Sequence, residues 1–330
     1  MDKMYSKEEL QNRINDEIVR RSAGLRARKP GELYAPIDYS LDVGGKRLRP
    51  VLLLMAYNLF SEEIEKALPA ALAIEVFHNF TLLHDDIMDK AEVRRNMPTV
   101  HLQFSENSAI LSGDAMAFLS YQYLLECRSG RMFEVASLFT KTALEVCEGQ
   151  QYDMDFEHRL DVTEAEYLEM IKLKTAVLLG CSLQAGALLA NAEDETAQQL
   201  YDFGINLGMA FQLQDDWLDT FGDQKKFGKK IGGDIVTNKK TYLLITALEK
   251  ASEENKKILD NWLNSTDFDA VEKVASVTGI YNQLGIKELV ESKIESYFSE
   301  AEKILAHLPV NELNKKFLIE LMESMLGRRS

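Results

Sequence analysis

Only six prolines occur in 330 residues, and none lies between Pro98 and Pro309. That interval lacks the residue most hostile to helix interiors, so long helices are permitted throughout it. Cysteine is scarcer still: Cys127, Cys147 and Cys181 are odd in number and form no CxxC pair. This excludes a disulfide framework and a thiolate zinc site, and the three read as reduced core side chains. No apolar run approaches the roughly 20 residues that span a bilayer. The most apolar stretches are residues 51–60 and 177–190, so no transmembrane helix is expected. The first 21 residues mix both charge signs without the apolar segment of a signal peptide, which points to the cytoplasm. Positive charge is in deficit, with 38 Lys plus Arg against 53 Asp plus Glu and a net charge of −15. A field of that sign repels phosphate polymers, and nucleic acid is not expected as a partner.

Hydrophobic residues at 46% and charged residues at 28% are those of a globular protein. Apolar positions recur every three or four residues, as in Leu72-Val76-Phe80-Leu83 and Tyr167-Met170-Ile171-Leu173-Val177-Leu178, whereas alternating strand-like runs are hard to find. The expectation is an all-α fold. Helix starts are expected at Ser6 with Glu9, Thr163 with Glu166, and Asp194 ahead of Glu195. Breaks are expected at GELYAPIDY (31–39), RRNMP (94–98), CRSGR (127–131) and the glycine- and lysine-rich segment 221–240. None is long or biased enough for a domain boundary, so residues 1–330 read as one domain.

Two segments carry the chemistry. LLHDDIMDK places Asp85, Asp86 and Asp89 at the end of an apolar helix, and FQLQDDWLDTFGD repeats the spacing with Asp215, Asp216 and Asp219. At 100° per residue, Asp85 and Asp89 share a face one turn apart. Each cluster repels itself unless a cation joins it. Hard carboxylate oxygens without cysteine or paired histidine suit Mg²⁺, which keeps waters and substrate phosphates among its ligands.

Phosphate donors accompany the acids. GGKRLRP supplies Lys46, Arg47 and Arg49; RRNMP supplies Arg94 and Arg95; Lys174 lies in an apolar helix; and Lys229, Lys230, Lys239 and Lys240 follow the second cluster. Any one of them is an ordinary surface charge, but their placement around two acidic clusters points to an anion site. His78 lies within about 20° of the face of Asp85 and Asp89, so it is either a pocket residue or a hydrogen-bonded core histidine. Gln212 has a similar relation to the second cluster, as a dipole for developing positive charge or a partner for nearby backbone.

The ordered segments GGKRLRP, FHNFTLLHDDIMDKAEVRRNMPTVH, GQQYD, IKLKTAVLL, FQLQDDWLDTFGD and GKKIGGDIVTNKKT resemble the trans-isoprenyl diphosphate synthase (polyprenyl synthetase) family. They run from residue 44 to 241, about 60% of the chain. The resemblance implies a Mg²⁺-dependent head-to-tail condensation of isopentenyl diphosphate with an allylic diphosphate. It also implies a single helical bundle around a central apolar tunnel, three Mg²⁺ per active site and a homodimer. Carried over by position, Asp85, Asp86, Asp89, Asp215 and Asp219 hold the metals, with Asp216 supporting the second cluster. Arg94, Lys174 and Lys229 contact the allylic diphosphate; Lys46, Arg49, His78 and Arg95 hold isopentenyl diphosphate; Lys239 matches the last lysine of the pattern. Thr175 and Gln212 present dipoles to the allylic cation. Asn96 stands where the family usually has glycine, which asparagine tolerates because it visits the left-handed region. Arg328 and Arg329 match a basic tail that some members close over substrate, or are a frayed end.

Product length follows from what floors the tunnel. Thr81 and Phe77 lie about 40° and 80° from Asp85 by helical arithmetic, so both can face the tunnel; Phe80 is placed at the floor by the resemblance alone. An aromatic Phe80, a small Thr81 and no insertion in DDIMD resemble the geranylgeranyl type, with the farnesyl type as the alternative. A class I terpene cyclase leaves Lys46, Arg49 and the second cluster unexplained together. A non-catalytic subunit would have lost part of one cluster. A di-iron bundle, suggested by Glu75-x-x-His78, lacks a second such motif beyond Asp155-x-x-His158.

Overall fold

The computed structural model describes residues 3–222 and 231–327. Most of them are helical, as the proline-free periodic pattern requires. They group into two compact units, one of Met1–Phe139, Cys181–Tyr201 and Pro309–Leu318, the other of Thr140–Gly180, Asp202–Leu308 and Ile319–Ser330.

In the first unit, helices α1 (Lys7–Arg26), α2 (Gly31–Asp42), α3 (Leu48–Asn58) and α4 (Leu68–Met88) precede a two-stranded hairpin, β1 (Val93–Arg94) and β2 (Met97–Pro98), then α5 (Val100–Gln103) and α6 (Glu106–Leu124). Helix α4 is the centre, packed by α1, α2, α3 and α6. It is apolar nearly all round, with Ala70, Ala71, Leu72, Ala73, Ile74, Val76 and Phe77 buried, the pattern of a helix enclosed by others. Its three alanines permit close approach of neighbouring backbones. Among the described residues the hairpin is the one element outside the all-α expectation, and it re-aims Arg94 and Arg95.

Helices α7 (Met132–Glu157), α8 (Glu164–Ile171), α9 (Val177–Leu189), α10 (Asp194–Phe221), α11 (Gly233–Val236), α12 (Tyr242–Lys250), α13 (Glu253–Asn264), α14 (Ala270–Gln283), α15 (Ile286–His307) and α16 (Glu312–Leu326) complete the chain. Between α8 and α9, residues Lys172–Ala176 form a π-helical turn. Such turns insert one residue into a helix and are frequent at functional sites.

Ser6 with Glu9 and Thr163 with Glu166 form complete capping boxes. Asp194 lies inside the first turn of its helix. Residues 31–39 are not a break but most of α2, with Pro36 inside it. Burial of Pro36, Ile37 and Leu41 on one face outweighs the lost amide. Cys127 and Cys181 are buried as expected, whereas Cys147 is exposed. The run Glu164–Leu189 is long and apolar enough to cross a membrane by length and composition, but 83% of its apolar window is buried, as in a core helix.

Candidate active site

The first unit builds a cationic cradle from a sharp turn. Gly44 (φ 82°), Gly45 (φ 145°) and Arg47 (φ 49°) reverse the chain ahead of α3. Arg47 points inward, 5% exposed. Its guanidinium pairs with Glu75 at 2.6 Å and donates to Leu41 O at 2.8 Å and Asn15 Oδ1 at 3.3 Å. Glu75 also accepts from Asn79 Nδ2 at 3.0 Å. The sequence grouped Arg47 with the phosphate donors; the structure makes it a staple between α1, α2 and α4. It also ties Glu75 into that pair, away from any Glu-x-x-His metal site. Breaking a buried pair from one side leaves a bare charge, so Arg47→Met is expected to cost about 3–5 kcal/mol of stability. Urea unfolding checks it, and a loss of substrate binding at unchanged stability would contradict the staple.

Lys46 and Arg49 flank that staple. Lys46 is exposed and Arg49 half-buried. Arg49 Nη1 donates to His78 Nε2 at 3.0 Å, so the imidazole accepts there and is neutral. Burial, followed by the charges of Arg49, Arg95, Arg94 and Arg47, holds His78 well below the usual histidine value. Burial pushes Arg49 down to about 10, against the pull of Glu75. Its Nε is buried without a hydrogen-bond partner. Buried donors are normally satisfied, so an orphaned guanidinium N–H among crowded cations asks for an anion.

Arg95 and Asn96, at φ 54° and 64°, form the two-residue turn of the hairpin. Both central residues of such a turn take the left-handed conformation, which explains the tolerated asparagine. The turn lays the Arg95 guanidinium on Gly45, where a Cβ would stand 2.7 Å from Arg95 Nη1. A Cβ there would push the guanidinium aside. Arg94 reaches the acidic cluster, with Nε 2.8 Å from both oxygens of Asp86 and Nη2 2.7 Å from Oδ1. Asp85 Oδ2 lies 3.7 Å from the same Nη2. Asp86 is 3% exposed, Asp85 half-buried, and Asp89 exposed as the C-cap of α4. A helix C-terminus already carries negative potential, so three carboxylates there require a positive partner.

Below this cluster lies an aromatic group. The Phe77 ring is 5.4 Å from Phe80 and 5.2 Å from Phe139; Phe80 is 4.9 Å from His84; Phe139 is 5.1 Å from Tyr121 of α6. Phe77 is buried, while Phe80 and Thr81 are half-buried. The Thr81 hydroxyl donates to His78 O at 2.8 Å.

The second unit holds the other cluster near the C-terminal end of α10. Asp216 is buried, with Oδ2 accepting from the Tyr167 hydroxyl and Oδ1 from Gln212 Nε2 at 3.1 Å. Gln212 Oε1 accepts from the Thr175 hydroxyl at 3.1 Å. Thr175 and Gln212 are therefore linked to each other and to Asp216. Burial pushes Asp216 up to about 7, with Lys239 opposing and Asp234 adding. Asp215 and Asp219 are half-buried. Asp219 Oδ2 accepts from the Asp234 amide at 2.9 Å. Burial raises Asp234 to about 6; Lys239 opposes, while Asp219, Asp153 and Asp215 add.

Lys174 sits in the π-helical turn, its Nζ 2.5 Å from Asp153. The turn is clamped where α7 passes it, since a Cβ on Gly149 would meet Lys174 N at 2.3 Å. Asp153, Tyr167 and Asp234 were not singled out by the sequence. Asp153 and Asp234 fall inside GQQYD and GKKIGGDIVTNKKT, where they read as flanking positions. Tyr167 reads as one more apolar-face residue, and nothing in its spacing marks the hydroxyl. Lys229, Lys230, Arg328 and Arg329 lie outside the described residues.

Among the described residues, no group of three or more His, Cys, Asp or Glu side chains is gathered as an ion cage. The donor set fits Mg²⁺ nonetheless: all-oxygen, acidic, and placed at two helix C-termini. That ion uses one or two carboxylates with waters and phosphates rather than a full protein cage.

The profile of the family described as Polyprenyl synthetase matches residues 30–281. A geranylgeranyl diphosphate synthase of Methanosarcina mazei is 36% identical over 326 residues, covering 95% of this chain and 97% of its own. A geranylfarnesyl diphosphate synthase of Natronomonas pharaonis is 36% identical, covering 96% and 95%. A crystal structure of a geranylgeranyl pyrophosphate synthase superposes with a TM-score of 0.92 at 43% identity, covering 99% of this chain and all of that one.

Proposed function

The chain belongs to the polyprenyl synthetase family, and from that premise we propose a prenyltransferase that condenses isopentenyl diphosphate head-to-tail with allylic diphosphates to give geranylgeranyl diphosphate. The observation that carries this reading is in the first unit, where Arg94 joins a cradle with an orphaned Arg49 donor to a carboxylate cluster. One side suits a bare diphosphate and the other a diphosphate presented with metal. Relatives named geranylgeranyl diphosphate synthase support the product.

Lys46, Arg49 and Arg95 grip the diphosphate of isopentenyl diphosphate, and neutral His78 aims Arg49 by accepting its N–H. By the family resemblance Arg94, Lys174 and Lys229 would contact the allylic diphosphate, and Lys239 matches the last lysine of the pattern. Asp85, Asp86 and Asp89 of the first cluster and Asp215 and Asp219 of the second would hold Mg²⁺, three per active site, with Asp216 supporting the second cluster. Held by these carboxylates, Mg²⁺ would supply positive charge beside the departing diphosphate. The cationic side chains stabilise the same leaving group as the allylic C–O bond breaks. Thr175 and Gln212, fixed against each other, turn their dipoles to the allylic cation. The double bond of isopentenyl diphosphate attacks it, and a proton is lost to the released diphosphate, so no protein base is required. The protein acts as a homodimer in the cytoplasm; a stripe of exposed Leu111, Phe118 and Leu125 at seven-residue spacing supports a second copy.

Incubating the purified protein with farnesyl diphosphate, isopentenyl diphosphate and Mg²⁺ tests this. Geranylgeranyl diphosphate and free diphosphate are expected, with both abolished by a chelator. Diphosphate release from the allylic substrate alone would favour a cyclase.

A further inference from the structure

Segment 232–241 carries Asp234 and Lys239, and its placement depends on a helix beyond the motif segments of residues 44–241. On one side it is tied to the second cluster: Gly232 N donates to Asp219 O at 2.6 Å, Asp234 N to Asp219 Oδ2 at 2.9 Å, and Lys239 N to Asp234 O at 2.9 Å. On the other it rests on α14, so closely that a Cβ on Gly232 would meet Val274 Cγ2 at 2.6 Å. From α14, Lys273 reaches in. It is 1% exposed, and its ammonium donates to Val236 O at 3.2 Å and Asn238 Oδ1 at 2.6 Å, 4.2 Å above the Phe268 ring. Asn238 is left-handed (φ 59°), ties back to Leu263 O at 3.2 Å, and its carbonyl accepts from Lys240 Nζ at 3.0 Å.

A buried ammonium is costly unless its donors are used. An apolar side chain would fill this place without that cost, and both hydrogen bonds of Lys273 end on the turn between Asp234 and Lys239. We infer that Lys273 is a positioning residue: by pinning the turn at Val236 and Asn238 it holds Asp234 against Asp219 and Lys239 against Asp234, and so sets how tightly the second cluster takes a divalent cation with a diphosphate. The inference rests on the proposed function. It goes beyond it by assigning that control to a side chain that touches neither ligand.

Calorimetric titration of Mg²⁺ with inorganic diphosphate into the full chain tests it, beside steady-state kinetics. Lys273→Met and Asn238→Gly are each expected to weaken binding about tenfold, the scale of lost supporting bonds at metal sites. The double variant should be no weaker than either, Lys273→Arg should recover most of the loss, and KM for isopentenyl diphosphate should stay within twofold. Unchanged binding in a folded Lys273→Met, or an equal rise in KM for isopentenyl diphosphate, overturns the inference. Should Lys273→Met not fold, Asn238→Gly decides by the same criterion, since glycine accepts the left-handed backbone. A wild-type chain that neither binds diphosphate with Mg²⁺ nor forms product overturns the functional reading and this inference together. Wild-type binding with unaltered variants overturns the inference alone.

Discussion

Asp85→Asn and Asp215→Asn are each expected to lower turnover by about two to three orders of magnitude, the cost of weakening the hold on a cation that stabilises a developing anion. Both substitutions keep shape and remove only charge. Stability should not suffer. Asp85 is half-buried, with its ion pair to Arg94 at 3.7 Å, and it sits at a helix C-terminus where a carboxylate is electrostatically unfavourable. Its neighbour gives the contrast: Asp86 is buried and gripped through both oxygens by Arg94, so Asp86→Asn should lower Tm as well as turnover. Measuring kcat and Tm together separates the cases. Undiminished turnover in both Asp85→Asn and Asp215→Asn would remove these side chains from the metal site.

The contrast also shows what the sequence can and cannot say. Helical class was legible because periodic apolar residues and a proline-free interval leave little else, and the boxes at Ser6 and Thr163 are local chemistry. The aspartates were legible because like charges at short spacing after an apolar helix demand a partner. Which aspartate faces inward was not, because that depends on where Arg94 and Tyr167 arrive from elsewhere in the chain. Arg47 was misread for the same reason: Lys46, Arg47 and Arg49 are consecutive charges in a list, and only the left-handed backbone at Arg47 turns that one toward Glu75. The π-helical turn at Lys174 has no composition signal, and the helix at 31–39 hides a proline whose cost is offset by burial.

Phe80→Ala is expected to lengthen the main product by one or more five-carbon units. Helical angle counting from Asp85 does not bring Phe80 to the tunnel. Three residues apart on α4, however, the Phe77 and Phe80 rings meet at 5.4 Å, and Phe80 also stands against His84. Phe77 is the poorer place to cut: it is buried and holds Phe139 at 5.2 Å, so Phe77→Ala should cost about 3–5 kcal/mol and blur product length with instability. Phe80 is half-buried, so its removal opens space about the size of one prenyl unit at smaller cost. Chromatography of the products reads the result. An unaltered distribution in Phe80→Ala, with longer chains from Tyr121→Ala instead, would move the floor from α4 to α6, where Tyr121 closes the same aromatic group from the other side.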